Sequence, residues 1–266
     1  VPTGVYRREV TVAKRWIGRR IVLHLGGAES VHALYVNGAF AGYGTDSRLP
    51  SEYDITDHVT AGRNDIAVVV VKWSANSYVE DQDQWWMGGL HREEFIEARA
   101  RTRVTALECD TAYDVHTGTG SVTVTTTVGG ATPPSAGWKV RTSLETLRGR
   151  RIGRARTVDV PHRFAQPYLF TGHDAVSEFA STTVDPWSAE SPTRYRVVAE
   201  LIDPDGTVRE VHRQLIGFRT VEVRDRHFLV NGRPIWFFGV NRHDHHPDRG
   251  KAVTIDDMRD DLLAMR

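Results

Sequence analysis

Phe228-Leu-Val-Asn-Gly-Arg-Pro-Ile-Trp-Phe-Phe238 runs directly into Gly239-Val-Asn-Arg-His-Asp-His-His-Pro247, and this stretch decides how the rest of the chain is read. Two apolar runs are separated by Asn231-Gly232, residues that both tolerate positive φ and so mark a tight turn. After the second run comes a polar, histidine-rich loop closed by Pro247. A helix is expected next. Thr254 is a good N-cap with Asp257 at the capping-box position, Val253 and Met258 can form a hydrophobic staple, and Ile255, Met258, Leu262 and Met265 fall at helical spacing. Strand, polar loop and helix in this order make one β-loop-α unit, which cannot bury its own apolar faces. The tail is therefore expected to pack against the β-rich chain before it or to stay partly ordered.

Upstream, the chain reads as strands. Val5 to Val12, Arg20 to Leu25, Val31 to Val36 and Asp65 to Trp73 are β-branched or aromatic runs punctuated by Gly, Asn, Asp and Pro. Asn37-Gly38 lies between Leu34-Tyr-Val36 and Ala39-Phe-Ala-Gly-Tyr43, a strong two-residue hairpin signal. From Thr102 the character changes: Thr and Val alternate through Ser121 to Val128, as on a half-solvated antiparallel strand. Gly129 to Gly137 reads as a connection, and Asp203-Pro-Asp-Gly206 as a turn between Arg194 to Leu201 and Val208 to Gln214. The fold class expected is mainly β: an all-β sandwich over 1–101, a second β-sandwich of immunoglobulin-like size over 102–219, and over 220–266 a strand, loop and helix such as open a barrel.

Composition narrows the function classes. The 266 residues balance 34 basic against 34 acidic side chains, so the chain lacks the overall basic excess that favours nucleic acid or an anionic membrane. The longest aliphatic run, Ile66 to Val71, is far short of the ~20 residues of a spanning helix. The lone Cys109 cannot form an internal bridge, which suits a cytoplasmic location, and it reads as a small core residue rather than a nucleophile. Val1 is not a methionine and no secretory leader follows it, so the chain is expected to begin inside a longer protein.

Two clusters could carry chemistry. Glu80-Asp-Gln-Asp83 precedes Gln84-Trp-Trp86, a mixture that binds sugars through ring faces and hydroxyl-accepting carboxylates, and that could also hold a cation. Taken alone such a stretch is most often a solvated turn, with Trp85 and Trp86 in a sandwich core or domain interface. His243-Asp-His-His246 follows Asn241-Arg242; His-x-His can clamp a transition metal, bond to substrate hydroxyls or act as acid or base. With no cysteine nearby and no helical His-Glu-x-x-His pattern, a zinc site is disfavoured against a structural polar loop.

Longer segments decide between these readings. Leu34 to Asp54 and Trp73 to Gly89 resemble the sugar-binding jelly roll of family 2 glycoside hydrolases; Pro186-Trp-Ser-Ala-Glu-Ser-Pro192 and Gly217-Phe-Arg219 resemble the same family's immunoglobulin-like domain. The Asn241 to Pro247 run resembles the β-galactosidase branch rather than the β-glucuronidases and β-mannosidases. The resemblance implies that the first sandwich is a jelly roll and that 220–266 is the first strand and helix of a truncated TIM barrel, and it implies roles. Asp83 matches an aspartate near the galactosyl 6-hydroxyl and a sodium ion, His243 a histidine bonding galactosyl hydroxyls, and Asn241 and Arg242 residues shaping the barrel rim.

It implies retaining hydrolysis of terminal β-galactosides, by a homo-oligomeric parent, with two glutamates and magnesium ligands located beyond Arg266. None of Glu80, Glu93, Glu94 or Glu108 falls in a motif resembling those catalytic segments, so no catalytic residue is assigned here and the chain alone is expected to be inactive. The chain departs from the pattern in three places: Val1 stands where the family has a pocket asparagine, Asp244 replaces a glutamate, and the stretch Leu90-His-Arg-Glu-Glu94 differs from the usual Ile-Phe-Arg-Asp. A free-standing carbohydrate-binding module would explain the jelly roll but not the start of a barrel. A structural protein built of two sandwiches would leave the settings of Asp83 and His243 unexplained.

Overall fold

The computed structural model describes residues 1–130, 133–161 and 173–265, so residues 131 and 132 of the expected 129–137 connection lie outside it. The chain divides into two compact units, Val1–Ala100 with Val240–Arg266, and Arg101–Gly239. No described helix is long and apolar enough to cross a membrane.

The first unit is built from β1 (Thr3–Val12), β2 (Arg20–Leu25), β3 (Ala28–Glu29), β4 (Val31–Val36), β5 (Ala39–Gly44), β6 (Ser51–Asp54), β7 (Gly62–Val71), β8 (Gly89–Leu90) and β9 (Glu94–Arg99). Two antiparallel sheets, in the orders β1-β7-β4-β5 and β6-β2-β9, are supplemented by the short pair β3-β8. The aliphatic run in β7 alternates as a strand must: Ile66, Val68 and Val70 enter a core with Leu23, Leu25, Leu34 and Ile55, while Ala67, Val69 and Val71 stay half-buried on the other face. Asn37 and Gly38 turn β4 into β5 with φ of 51° and 82°, pairing Val36 with Ala39 as the two-residue signal predicts. The Asn37 side chain also donates to the carbonyl of His58 at 2.8 Å and accepts from the amide of Asp65 at 2.9 Å, tying the turn to β7.

On the second sheet of this unit, Arg99 reaches across β2 to grip Glu52 with two bonds, 2.7 and 2.5 Å. That guanidinium pulls the Glu52 carboxyl down from 4.5 to about 2. Folded protein therefore binds this proton more weakly than unfolded chain does. The stabilisation is full above pH 4.5 and is lost as pH falls toward 2. With the Glu52 side chain 43% exposed, screening holds the effect to about 1 kcal/mol at most. Glu52→Gln should lower the urea midpoint at pH 7 and flatten its fall between pH 4.5 and 2; parallel curves for both proteins would remove this pair from the acid response.

The second unit comprises β10 (Thr102–Asp114), β11 (Thr119–Gly130), β12 (Lys139–Thr146), β13 (Arg151–Asp159), β14 (Asp174–Thr183), β15 (Tyr195–Ile202) and β16 (Val208–Ile216), followed by β17 (Val221–Arg224), β18 (His227–Val230) and β19 (Arg233–Pro234). Sheets in the orders β10-β11-β14 and β13-β12-β15-β16 form the sandwich, with a separate ladder β17-β18-β19. The Thr/Val alternation on β11 is realised residue by residue, with Val122, Val124, Thr126 and Val128 inward. The interior is not uniformly apolar. One cluster gathers Val122, Val124, Leu144, Phe179 and Phe218; another gathers Val128, Val140, Ala175 and Leu201. Between them, at the intervening inward positions, stand Thr126, Thr142 and Ser177. All three are buried, and their hydroxyls have no hydrogen-bond partner among the described residues. Cys109 packs half-buried against the first cluster, and burial lifts its thiol to about 11, the environment of an unreactive packing residue.

The Gly217-Phe-Arg219 and Pro186-Trp187 segments meet here. A Cβ on Gly217 would lie 2.8 Å from that of Trp187, Phe218 is fully buried, and the Arg219 guanidinium lies 4.5 Å over the Trp187 ring. Asn231, at φ 52° in the β18-β19 turn, donates to the Trp187 carbonyl at 3.0 Å and exchanges bonds with Thr220, fixing the hairpin to this unit.

The final apolar run forms no strand. Trp236, Phe237 and Phe238 are 86%, 74% and 95% exposed and join no ladder among the described residues, because a barrel strand is held by neighbours on both sides and none is present. Helix α1 (Ile255–Met265) forms as the capping signal predicts: Thr254 and Asp257 exchange side-chain-to-amide bonds at 3.2 and 2.7 Å. The Thr254 amide and hydroxyl, with the Arg249 guanidinium, hold the Asp257 carboxyl well below the usual range. Its apolar stripe faces outward, since Ile255, Leu262 and Leu263 are all exposed.

Candidate functional site

The loop from Lys72 to Gly88, between β7 and β8, carries the acidic cluster, and the fold gives its carboxylates three different tasks. Glu80 is a brace: it accepts from the Ser47 amide at 3.1 Å and hydroxyl at 2.5 Å, while Arg48 donates to its carbonyl at 3.3 Å. The 45–49 segment behind it is itself fixed by Asp46, which accepts the amides of Leu49 and Arg48 and is held below the ordinary carboxylate range by them. Asp81 accepts the indole N–H of Trp86 at 2.6 Å. Asp83 is exposed and has no hydrogen bond or ion pair with another described residue, so its charge is available to a ligand.

The two tryptophans are not core residues. Trp85 is 70% exposed and Trp86 37%, which corrects the core alternative. Trp86 packs edge-on against Trp73, 4.8 Å between centroids, and its bond to Asp81 fixes it as a wall. Trp85 meets the ring of His245 at 4.7 Å.

His245 belongs to the second wall, the loop from Val240 to Val253. This loop is shaped by its own hydrogen bonds: His246 and Gly250 pair through their backbones at 2.7 and 2.9 Å, and His246 Nδ1 accepts from the amides of Asp248 and Arg249. Gly250 has φ 60°, and a Cβ there would collide with the sulfur of Met87, so no other residue fits without displacement. Lys251 is buried and pairs with Glu29. Arg242 holds Asp261 of α1 at 2.8 Å and also Asp244; both carboxylates raise its guanidinium further.

Asp83 and His243, separated by most of the chain, line one open cavity of about 580 Å³ together with Trp85, Trp86, His245 and Lys251. Arg242 stands behind this wall as a support, and Asn241 is exposed and does not line the cavity. Of the contributors not singled out in the sequence, His245 lies inside the quoted histidine run, whereas Lys251 reads there as an ordinary loop lysine. His246 serves the loop itself.

Cations are a separate question. No group of three His, Cys, Asp or Glu that could hold a metal occurs among the described residues. A hard cation takes about six oxygens. Asp83 could supply one carboxylate to sodium, which is one corner of a site and not a complete one.

Comparison with known proteins gives three matches along the chain. Residues 1–98 match the family model "Glycosyl hydrolases family 2, sugar binding domain", residues 102–219 match "Glycosyl hydrolases family 2", and residues 221–266 match "Glycosyl hydrolases family 2, TIM barrel domain". The chain is 33% identical over 266 residues to a protein named Beta-galactosidase from Vibrio vulnificus strain YJ016, covering 100% of this chain and 25% of that one. It is 34% identical over 274 residues to one from Pectobacterium atrosepticum, with the same coverages. The chain thus spans about a quarter of the length of the curated relatives it matches. Among solved structures, a Bacteroides uniformis β-glucuronidase superposes with a TM-score of 0.81 at 21% identity, over 99% of this chain and 32% of that chain. A putative β-galactosidase from Bacteroides fragilis gives 0.81 at 23%, over 99% and 40%. These structural likenesses establish the fold.

Proposed function

We propose that this chain, which belongs to glycoside hydrolase family 2, supplies substrate-pocket walls to a longer retaining β-galactosidase. The observation that carries this is the convergence of Asp83 and His243 on one cavity beside an exposed tryptophan. An uncommitted carboxylate accepts sugar hydroxyls, an exposed imidazole donates to or accepts from them, and the Trp85 face offers apolar area to ring C–H groups. The relatives named β-galactosidase support the choice of galactosides. In this reading the walls orient the terminal sugar and exclude water, and bond cleavage is left to a pair of carboxyls elsewhere, set ~5 Å apart. Magnesium belongs to that other part. A cytoplasmic location is consistent with the single, unreactive Cys109.

Asp83→Asn tests the reading in the longer protein. It removes charge at nearly constant shape from an exposed position, so the fold should persist by circular dichroism. Loss of one charged hydrogen bond to a substrate hydroxyl should lower kcat/KM for a nitrophenyl β-galactoside by about 10- to 100-fold. Running the assay at low and high sodium shows whether a cation shares the carboxylate. Unchanged kcat/KM at both would make the acidic loop structural and remove the proposal.

A further inference from the structure

We propose that Glu29 is a positioning residue that registers the two walls of the cavity against each other. Its functional meaning rests on the reading of that cavity as a substrate pocket; its geometry does not. Glu29 is paired with Gly89 through β3-β8, and the next amide, that of Ser30, donates to the Val71 carbonyl at 3.1 Å. It therefore sits at the stems of the 72–88 loop, where β7 ends and β8 begins. Its carboxylate, 12% exposed, accepts from Nζ of Lys251, 7% exposed, on the Val240–Val253 wall. The same Oε2 lies 3.9 Å from Nη1 of Arg48.

Arg48 grips the other wall from behind. It donates to the Glu80 carbonyl, and with the Gln84 amide turned so that its oxygen faces the guanidinium, both terminal nitrogens lie 3.2 to 3.3 Å from that oxygen. Glu80 and Gln84 flank Asp83. One carboxylate thus touches, through a lysine, the wall that carries His243 and His245 and, through an arginine, the wall that carries Asp83 and Trp85. A buried charge that loses its partner is strongly destabilising locally, so the two walls depend on the same group.

Hydrogen-exchange mass spectrometry on the 266-residue chain separates this role from a merely local one. Glu29→Gln should speed exchange at least about tenfold in peptides covering both 80–86 and 243–251, with β1-β7 amides unchanged. Lys251→Met should loosen only 243–251, and Arg48→Met only 80–86. The double variant Glu29→Gln/Lys251→Met, which removes ammonium and carboxylate together, should restore protection of 243–251 while 80–86 stays fast. Loosening of one wall alone by Glu29→Gln, or of the whole jelly roll equally, overturns the proposal. If Glu29→Gln does not fold, the Lys251 and Arg48 variants decide: each must loosen its own wall alone. These readouts involve no galactoside, so they stand or fall apart from the kinetics of Asp83→Asn.

Discussion

Incubated with a nitrophenyl β-galactoside, the purified 266-residue chain should release no chromophore above background. Retaining hydrolysis needs one carboxylate to bond the anomeric carbon and a second carboxyl, held protonated near neutral pH, to protonate the leaving oxygen. The carboxylates of this cavity, Asp81 and Asp83, do not make such a pair: Asp81 is engaged by the Trp86 indole, and Asp83 is left as a single carboxylate. Positioned acid catalysis alone contributes roughly 10²- to 10⁴-fold, and loss of the nucleophile removes the covalent route as well. Turnover that copurifies with the chain and disappears in His243→Ala would overturn this expectation and require a catalytic pair among these residues.

The largest single effect on stability is expected from Phe218→Ala. Phe218 is fully buried in the second sandwich, with the Tyr195 ring 5.2 Å away and Val122, Leu144 and Phe179 in the same cluster. Truncation removes most of an aromatic side chain and leaves a cavity the two sheets cannot collapse into, at a cost of about 3–5 kcal/mol. Because the chain has two compact units, the loss should appear in one of two calorimetric transitions, the one that moves with amide exchange of β11 and β15. A loss under about 1 kcal/mol would mean that the neighbouring strands close the gap.

Local features were legible in the sequence wherever a short-range rule is strict. Asn37-Gly38 and Asn231-Gly232 specify tight hairpins because both turn positions need positive φ, and all four residues have it. The period-two pattern on β11 and the Thr254/Asp257 cap carried over for the same reason. Asp83 and His243 came from long ordered segments, since nothing in Glu80-Asp-Gln-Asp83 distinguishes its three carboxylates by themselves. Their separate tasks depend on Ser47, Arg48 and Trp86, which only the folded loops bring near. Lys251 was invisible for a stronger reason: its partner is 222 residues away, and a lysine between Gly250 and Ala252 looks solvated. The exposure of Trp236 to Phe238 was foreseeable only in principle, because an apolar run announces that it wants neighbours and not whether it finds them.

The hydroxyls of Thr126, Thr142 and Ser177, without a partner among the described residues, carry a consequence for how far this domain can be altered. A buried hydroxyl without a partner costs about 1–3 kcal/mol, and valine matches threonine in outline while lacking the polar atom. The immunoglobulin-like unit therefore holds headroom at Thr126 and Thr142, far from the pocket-lining residues in sequence. Substitutions in the cavity walls that weaken the fold could be offset along that seam, without further change to the residues that line the cavity.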